Sequence, residues 1–249
     1  MSINTLKFDL KGDMAFFKKP DINIRTYLTY NNIHKVAILG ILGAIIGLKG
    51  YRNEKLFGKD KRVYPEFYEK LNGLKVSIIP NSDKGYFRKK IQYFNNSVGY
   101  ASKEEGGNLM VYEQWIEYPN WTIYLWNDGS VETSIWEKLE DYMLKGKSVY
   151  IPYLGKNDFP ANIDKVEKVK MDKCGGNFIN SVFIGELDYL DDEETLDDEP
   201  AYIFTEYAPI GMVENYNFYD LKRTIYTNCM VIKPLKDVYT DGKKVISFF

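Results

Sequence analysis

Residues 35–50 have the sequence KVAILGILGAIIGLKG, and this stretch decides how the rest of the chain is interpreted. Its length and its polar flanks predict a helix. At about 100° per residue, Val36, Gly40, Gly43 and Gly47 lie on one narrow stripe of that helix. Bulky isoleucine and leucine side chains occupy the opposite face.

The three aligned glycines need a physical reason, because each interior glycine costs a helix about 0.8–1 kcal/mol relative to alanine. One reason is the close approach of another backbone, of protein or of nucleic acid, to Gly40, Gly43 and Gly47. The ordinary alternative is tight packing of the helix on a sheet, and both explanations can hold together.

The sequence on both sides of this helix alternates between apolar and polar residues or carries helix-end signals. The other predicted elements are strands at 5–10 and 22–29, a short helix after Pro65, strands at 74–79, 109–118 and 121–126, a helix from about Ser134 to Gly146, and a strand at 161–171. We interpret this as the βαββαβ order of a ferredoxin-like domain in the α+β class.

This order assigns residues 1–173 to the ferredoxin-like domain. Residues 81–108 are polar and rich in turn-forming residues, and they are too many for a plain turn. We therefore expect an insertion there, in the form of an extended hairpin. Residues 174–249 show short strands and turns, which predict a small β-rich C-terminal domain.

The charge is distributed unevenly along the chain. The net charge is −2, but residues 1–110 carry a balance of +9 and residues 111–249 a balance of −11. This asymmetry favours a basic half that meets a polyanion and an acidic half that faces solvent or protein. The alternative is that both charged faces are simply solvated.

Several classes of site are disfavoured by the residues present. Two cysteines and one histidine cannot build a disulfide framework or a four-ligand Cys/His zinc site. The motifs GxxxxGK[ST], GxGxxG, HExxH and GxSxG are absent. The acidic residues 188–199 lack the spacing of a calcium loop, so we expect a solvated loop there. No metal and no cofactor is therefore expected.

The chain is expected to be soluble and cytoplasmic, with no membrane partner. Its first residues are polar and alternate like a strand, unlike a secretory signal. The longest apolar run, Val36–Leu48, has 13 residues, fewer than the ~20 that a membrane-spanning helix needs.

Five segments occur in an order that resembles the fifth CRISPR-associated protein family, of the RAMP superfamily. Members of that family cap the 5′ end of CRISPR RNA (crRNA) in type I interference complexes, called Cascade. The resemblance covers about residues 5–165, and subtype I-B is the most similar. It is carried by FDLKGDMAFFKKP, RTYLTYNNIHKVAILGILGAIIGLKGY, YPEFYEKL, VGYASKEEGGNLMVYEQW and YLGKNDFPA.

The resemblance implies an RNA-binding subunit for antiviral defence, with an RRM-like, ferredoxin-like core and a β-hairpin thumb. Such a subunit grips the 5′ handle of crRNA and performs no catalysis. It also joins the backbone subunit of Cascade to the large subunit that reads the PAM, so that it meets target DNA indirectly.

Mapped onto this sequence, the resemblance implies three groups of residues. The thumb corresponds to about residues 81–108. The glycines available for close approach are Gly40, Gly43 and Gly47. The candidate RNA-binding residues are Lys18, Lys19, Arg25, Tyr27, His34, Lys35, Arg88, Lys89, Lys90 and Lys156.

Two alternatives stay open at this point. One branch of the family, in subtype I-C, cleaves precursor RNA with a Tyr/Lys/His site. Here GAIIG stands where that tyrosine is expected, His34 precedes the helix, and Lys156 has no histidine beside it. We therefore expect no ribonuclease activity, and a repeat-cleaving, metal-independent endoribonuclease is the alternative. The other alternative is a purely structural subunit without RNA contact.

Overall fold

The computed structural model describes residues 2–21, 26–51, 64–214, 216 and 218–249. The helices in these ranges are α1 (Lys35–Ile46), α2 (Glu66–Leu71) and α3 (Thr133–Leu144). The strands are β1 (Ser2–Lys11), β2 (Met14–Ala15), β3 (Thr26–Tyr27), β4 (Lys75–Pro80), β5 (Lys89–Asn95), β6 (Met110–Glu117), β7 (Asn120–Trp126), β8 (Asn162–Lys173), β9 (Phe183–Ile184), β10 (Leu190–Thr195), β11 (Ile203–Met212), β12 (Tyr219–Thr227), β13 (Cys229–Val231), β14 (Val238–Thr240) and β15 (Val245–Ser247). The protein is therefore a strand-rich α+β structure.

The main sheet has the strand order β15-β14-β8-β1-β7-β4, and its neighbours are antiparallel. β1 lies in the centre, where its inner side chains Leu6, Phe8 and Leu10 are essentially inaccessible to solvent. These three side chains share one core with the apolar face of α1 and with Leu139 and Met143 of α3. The alternation of β1 predicted from sequence thus places a helix-covered core on one side of the sheet.

The main sheet closes on itself at its edges. Val76 on β4 and Phe249 exchange two backbone hydrogen bonds, each 3.0 Å long. On the side away from α1, Tyr124, Met171 and Ile246 belong to a second, smaller cluster. β14 and β15 are therefore part of the same sheet as β1, although both come after residue 173 in the sequence.

A long hairpin leaves the main sheet between β4 and β7. β5 and β6 pair antiparallel from Lys89 opposite Ile116 to Asn95 opposite Met110. On the other side of β6, β3 pairs with it in parallel. The hairpin expected within 81–108 thus spans 89–117, and the segment predicted as one strand at 109–118 belongs to it.

The C-terminal region forms two smaller sheets, β11-β12-β9 and β10-β13. The expectation that the acidic residues 188–199 form a loop is wrong, because β10 lies within this stretch and pairs with β13. Its Asp192, Glu193 and Glu194 side chains are exposed, so they remain solvated as strand residues.

The glycine stripe of α1 packs against protein. A Cβ at Gly43 would lie 2.5 Å from the Phe67 Cβ of α2, and one at Gly40 would lie 3.9 Å from the Phe67 ring. Gly47 ends the helix with a left-handed φ of 82°, a conformation that favours glycine. The close partner of Gly40 and Gly43 is therefore α2, and that of Gly47 is Val149, whereas the sheet packs on the opposite, bulky face.

None of the described helices is long and apolar enough to span a membrane.

The two interior glycines of α1 give a matched pair of substitutions. Gly43→Ala should lower the free energy of unfolding by about 1–3 kcal/mol, because the new methyl group overlaps Phe67. Gly40→Ala should raise it by about 0.5–1 kcal/mol, since the methyl group makes ordinary contact and alanine favours the helix. Urea denaturation of both variants measures the difference. Equal effects of the two substitutions would contradict this packing.

Candidate nucleic-acid interface

Lys18, Tyr27, Arg88 and Lys90, four of the predicted RNA-binding residues, lie with Lys89 on or beside the four-stranded sheet formed by β2, β6, β3 and β5. Tyr27 of β3 is in register with Glu113 of β6, and the Lys18 ammonium lies 3.7 Å from the centre of the Tyr27 ring. Lys90 of β5 lies opposite Trp115 of β6, 5.7 Å from a ring centre of that side chain. Both distances are within the range of cation–π contacts, so the two ammonium groups lie over flat aromatic faces.

Arg88 adds a further positive charge immediately before β5, and its side chain is exposed. We call Lys18, Tyr27, Arg88 and Lys90 the handle surface. Three cations, two of which lie over aromatic rings, form a combination that can contact phosphates and stack on bases. Arg25 was predicted in the same region and lies outside the described residues.

Lys156 is placed next to the hairpin but is held internally. Its ammonium donates to the Glu113 carboxylate at 2.7 Å, and the Trp115 indole N–H donates to the same oxygen at 2.7 Å. The rings of Phe16, Phe94 and Trp115 surround it at 5.3–5.7 Å. Glu113 is 7% exposed. The charge of Lys156 is thus neutralised, and the pair joins the loop before β8 to the middle of the hairpin.

Lys19 and Lys89 also hold the fold together. The Lys19 ammonium lies 2.9 Å from the Glu206 carboxylate of β11, which also accepts the backbone N–H of Asn31. Lys89 donates to the side-chain oxygen of Asn31 at 2.5 Å. Burial, outweighing the attraction of Glu206, lowers the pKa of Lys89 to about 8. These two lysines therefore connect the segment before α1 and the start of the hairpin to the C-terminal sheets.

His34 corrects an expectation, because it is buried and does not reach a surface where it could contact RNA. Only 4% of it is exposed, and its Nδ1 accepts the backbone N–H of Ala37 at 3.2 Å as the N-cap of α1. The rings of Phe17, Tyr30 and Tyr219 surround it at 5.2–5.9 Å. Burial lowers its pKa to about 3, so the imidazole is neutral.

Lys35, the first residue of α1, is likewise directed into the protein. Its ammonium donates to the backbone carbonyl of Phe249 at 3.2 Å. Burial is the main reason that the pKa of Lys35 is lowered to about 8. Lys35 therefore helps to fix the C-terminal end of the chain against the start of α1.

Sequence reasoning missed the exposed face of the hairpin. Tyr93 and Tyr112 stack across β5 and β6 with ring centres 4.4 Å apart, and they are 49% and 40% exposed. Ile91 and Met110 are exposed beside them. The sequence signal is the alternation of Ile91 and Tyr93 with Lys90 and Gln92, which the description of 81–108 as a polar insertion passed over.

It also missed a groove beside the small-residue face of α1. The groove has a volume of about 640 Å³. Gly40 and Ala44 lie on its α1 side, and Tyr51, Tyr150 and Ile151 contribute to its walls. Backbone N–H groups of residues 149 and 150 donate to the last carbonyls of α1, which holds this wall in place. An apolar groove with aromatic walls suits a flat ring such as a base.

The structure thus separates the predicted residues into two groups. In the first group, Lys18 and Arg88 are exposed, and Tyr27 and Lys90 are partly exposed. The internally engaged residues are Lys19, His34, Lys35, Lys89 and Lys156. Among the described residues, no group of three or more His, Cys, Asp and Glu side chains is arranged to hold a metal ion.

Comparisons with known proteins give likenesses in fold. No protein-family model and no curated protein matches the sequence. A chain of a CRISPR RNA-guided surveillance complex is similar in structure, with a TM-score of 0.50 and 11% identity, over 92% of this chain and 91% of that one. A CRISPR protein from Archaeoglobus fulgidus gives a TM-score of 0.49 and 14% identity, over 98% of each chain. The first likeness shows that this chain shares the fold of that subunit.

The buried histidine predicts a pH dependence of stability. His34 is the only histidine of the chain, and its pKa is about 3 when folded against about 6.5 when unfolded. The contribution of the neutral His34 side chain to the free energy of unfolding is complete above about pH 6.5. It is lost as the pH falls, by up to about 1.4 kcal/mol per pH unit. Denaturation of the protein between pH 7 and pH 4 (about the window in which only the unfolded state is protonated) measures this slope.

The control is His34→Asn, because asparagine also caps helices but does not titrate. The variant should lose the His34 part of the slope while the carboxylate part remains. Parallel curves for the two proteins would show that His34 is solvated.

Proposed function

We propose that this protein is a non-catalytic RNA-binding subunit of a CRISPR RNA-guided interference complex, in which it holds the 5′ handle of crRNA. The observation that carries the proposal is the handle surface, where Lys18 and Lys90 lie over aromatic rings and Arg88 is exposed immediately before β5 of the hairpin. The shared fold with a surveillance-complex subunit supports it.

The chain topology supports the finer assignment to the ferredoxin-like, RAMP-type fold. β1, α1, β4, β7, α3 and β8 follow one another as βαββαβ, with α2 and the hairpin as additions. Their strands have the order β8-β1-β7-β4 and are antiparallel. We assign β5–β6 as the thumb of this fold.

The mechanism we propose divides the work between charge and shape. The cations of the handle surface contact phosphates and fix the register of the RNA, which by itself carries no sequence information. Bases turned out of the strand enter the groove beside α1, where side chains can read them. The internally paired lysines keep the hairpin at a fixed angle to the sheet.

The partners we propose are those that the resemblance implies for a type I complex, most similar to subtype I-B. A backbone subunit of Cascade and its large, PAM-reading subunit would flank this chain, and target DNA would be met indirectly. The exposed apolar side chains of the hairpin and the acidic C-terminal strands offer surfaces for such protein contacts.

Binding of handle RNA tests the proposal. The variant K18Q/R88Q/K90Q should bind the repeat-derived handle more weakly, and the slope of log K against log salt should fall by about 2 for three lost phosphate contacts. Fluorescence anisotropy from ~50 to ~200 mM salt measures both values. The matched control K222Q/K233Q/K236Q removes three exposed lysines of the C-terminal region.

The control should bind like the unmodified chain. Equal losses of RNA affinity in both variants would show that the effect depends only on net charge. An unchanged affinity in K18Q/R88Q/K90Q would refute the handle surface.

Incubation with repeat RNA tests the absence of catalysis. The RNA should remain intact, because the one histidine is neutral and covered by three aromatic rings. Gel electrophoresis of a 5′-labelled repeat without added metal measures this. Sequence-specific cleavage that His34→Ala abolishes would establish the endoribonuclease instead.

A further inference from the structure

A polar pocket lies on the side of the main sheet that faces away from α1. Along β1, Leu6, Phe8 and Leu10 enter the α1 core, so the intervening Lys7, Asp9 and Lys11 point to the opposite side. The pocket there has a volume of about 390 Å³. Five lysines and two aspartates line it, together with two asparagines, Thr122 and Tyr124.

We propose that this pocket binds the phosphate backbone of single-stranded nucleic acid, at a site separate from the handle surface. We call it the lysine pocket. Its ammonium groups come from three parts of the chain that are distant in sequence: Lys7 and Lys11 from β1, Lys165 from β8, and Lys243 and Lys244 from the turn between β14 and β15.

The turn that supplies two of the lysines is held in shape by a carboxylate. One oxygen of Asp241 accepts the backbone N–H groups of Lys243 at 2.9 Å and Lys244 at 2.8 Å. Its other oxygen lies 3.4 Å from the hydroxyl of Tyr124. The backbone of Lys243 and Lys244 is thereby held at the rim, and no ion pair within the described residues neutralises their ammonium groups.

Lys165 reaches the pocket through an irregular backbone. The β1–β8 pairing shifts between Lys7 and Asp9, and Lys165 lies in the shifted segment with a left-handed φ of 52°. Such a conformation at a lysine persists only where its surroundings impose it. The bulge directs the Lys165 ammonium to the Asp9 carboxylate, 3.1 Å away.

The floor of the pocket is a connected polar network. Asp9 is 7% exposed and accepts the hydroxyl of Thr122 at 2.8 Å. Burial acts to raise the pKa of Asp9, but the hydrogen bonds from Thr122 and Lys165 outweigh it and lower the pKa. Asn81 donates to both Asn120 and Thr122 at 3.0 Å. The floor therefore presents hydrogen-bonded amide and hydroxyl groups beneath the lysine ammonium groups.

The charges favour an anionic ligand. Five lysines against two aspartates leave the lining residues with a formal charge of +3. At the rim, Lys7 also pairs with Glu167 and Lys11 with Asp164. Because these two acids are more than half exposed, such pairs contribute little and exchange readily for a phosphate.

The lining also favours nucleic acid over an acidic protein segment. Protein interfaces have an apolar centre that is depleted in charge, whereas this pocket has lysines around amides and a hydroxyl. Phosphates and sugar hydroxyls are the groups that lysine, asparagine and threonine contact in nucleic-acid complexes. The ligand class is therefore a single strand with at least two phosphates in the pocket.

The experiment uses a fluorescein-labelled oligouridine and the full chain. All variants carry K18Q/R88Q/K90Q as the background, so that the handle surface does not contribute to the binding measured. A failure of the handle-surface proposal is thereby distinguished from a failure of this one. Adding K243Q/K244Q should weaken binding at least about 10-fold at ~0.1 M salt and lower the salt slope by about 1.4. The matched control K222Q/K233Q should change neither value.

Crosslinking provides a second, independent measurement on the unmodified chain. An oligouridine containing 4-thiouridine should crosslink to peptides from 162–173 or 238–247. Unchanged binding in K243Q/K244Q, or crosslinks confined to other peptides, would overturn the proposal. Binding of a polyglutamate peptide that K243Q/K244Q abolishes, without any effect on RNA, would also overturn it and assign the pocket to an acidic protein.

Discussion

The packing of α1 between the main sheet and α2 is the constraint on which the rest of the structure depends. Its bulky face shares a core with Leu6, Phe8 and Leu10 of β1, and each such side chain contributes about 1.5–3 kcal/mol when fully buried. That orientation leaves the small residues of the helix on the other side. Phe67 of α2 then approaches Gly43 more closely than any side chain at that position would allow.

The hairpin depends on this core through its base. The chain turns sharply at Tyr118, between β6 and β7, where φ is 48°. The two strands therefore belong to different sheets. Lys156 and Glu113 then connect the hairpin to the loop before β8. A partly buried ion pair with a shared indole donor resists bending more than exposed pairs do, because removal of one partner leaves a buried charge.

Lysines have two different roles in this protein. Lys19, Lys89 and Lys156 connect elements that are distant in sequence, and their ammonium groups contact buried acceptors. Lys18 and Lys90 lie over aromatic rings and face solvent. Residue type and local sequence are the same in both groups, so a count of basic residues overestimates the charge that a polyanion meets.

The sequence by itself determined the secondary structure of the core, because periodicity and helix-end residues act locally. Alternation defined β1 and β8, and the run at 35–50 defined α1 with Gly47 at its end. It also indicated an insertion before β7. Only the tertiary structure decided which strands pair, which lysines stay free and where the only histidine lies.

The reason is that these outcomes depend on contacts between residues far apart in the chain. His34 is neutral because Phe17 and Tyr219 cover it, and Glu206 reaches Lys19 from β11. The lysine pocket draws Lys243 and Lys244 from the half of the chain that is acidic overall. Charge along a sequence is additive, whereas the field at a surface is set by which side chains the fold brings together.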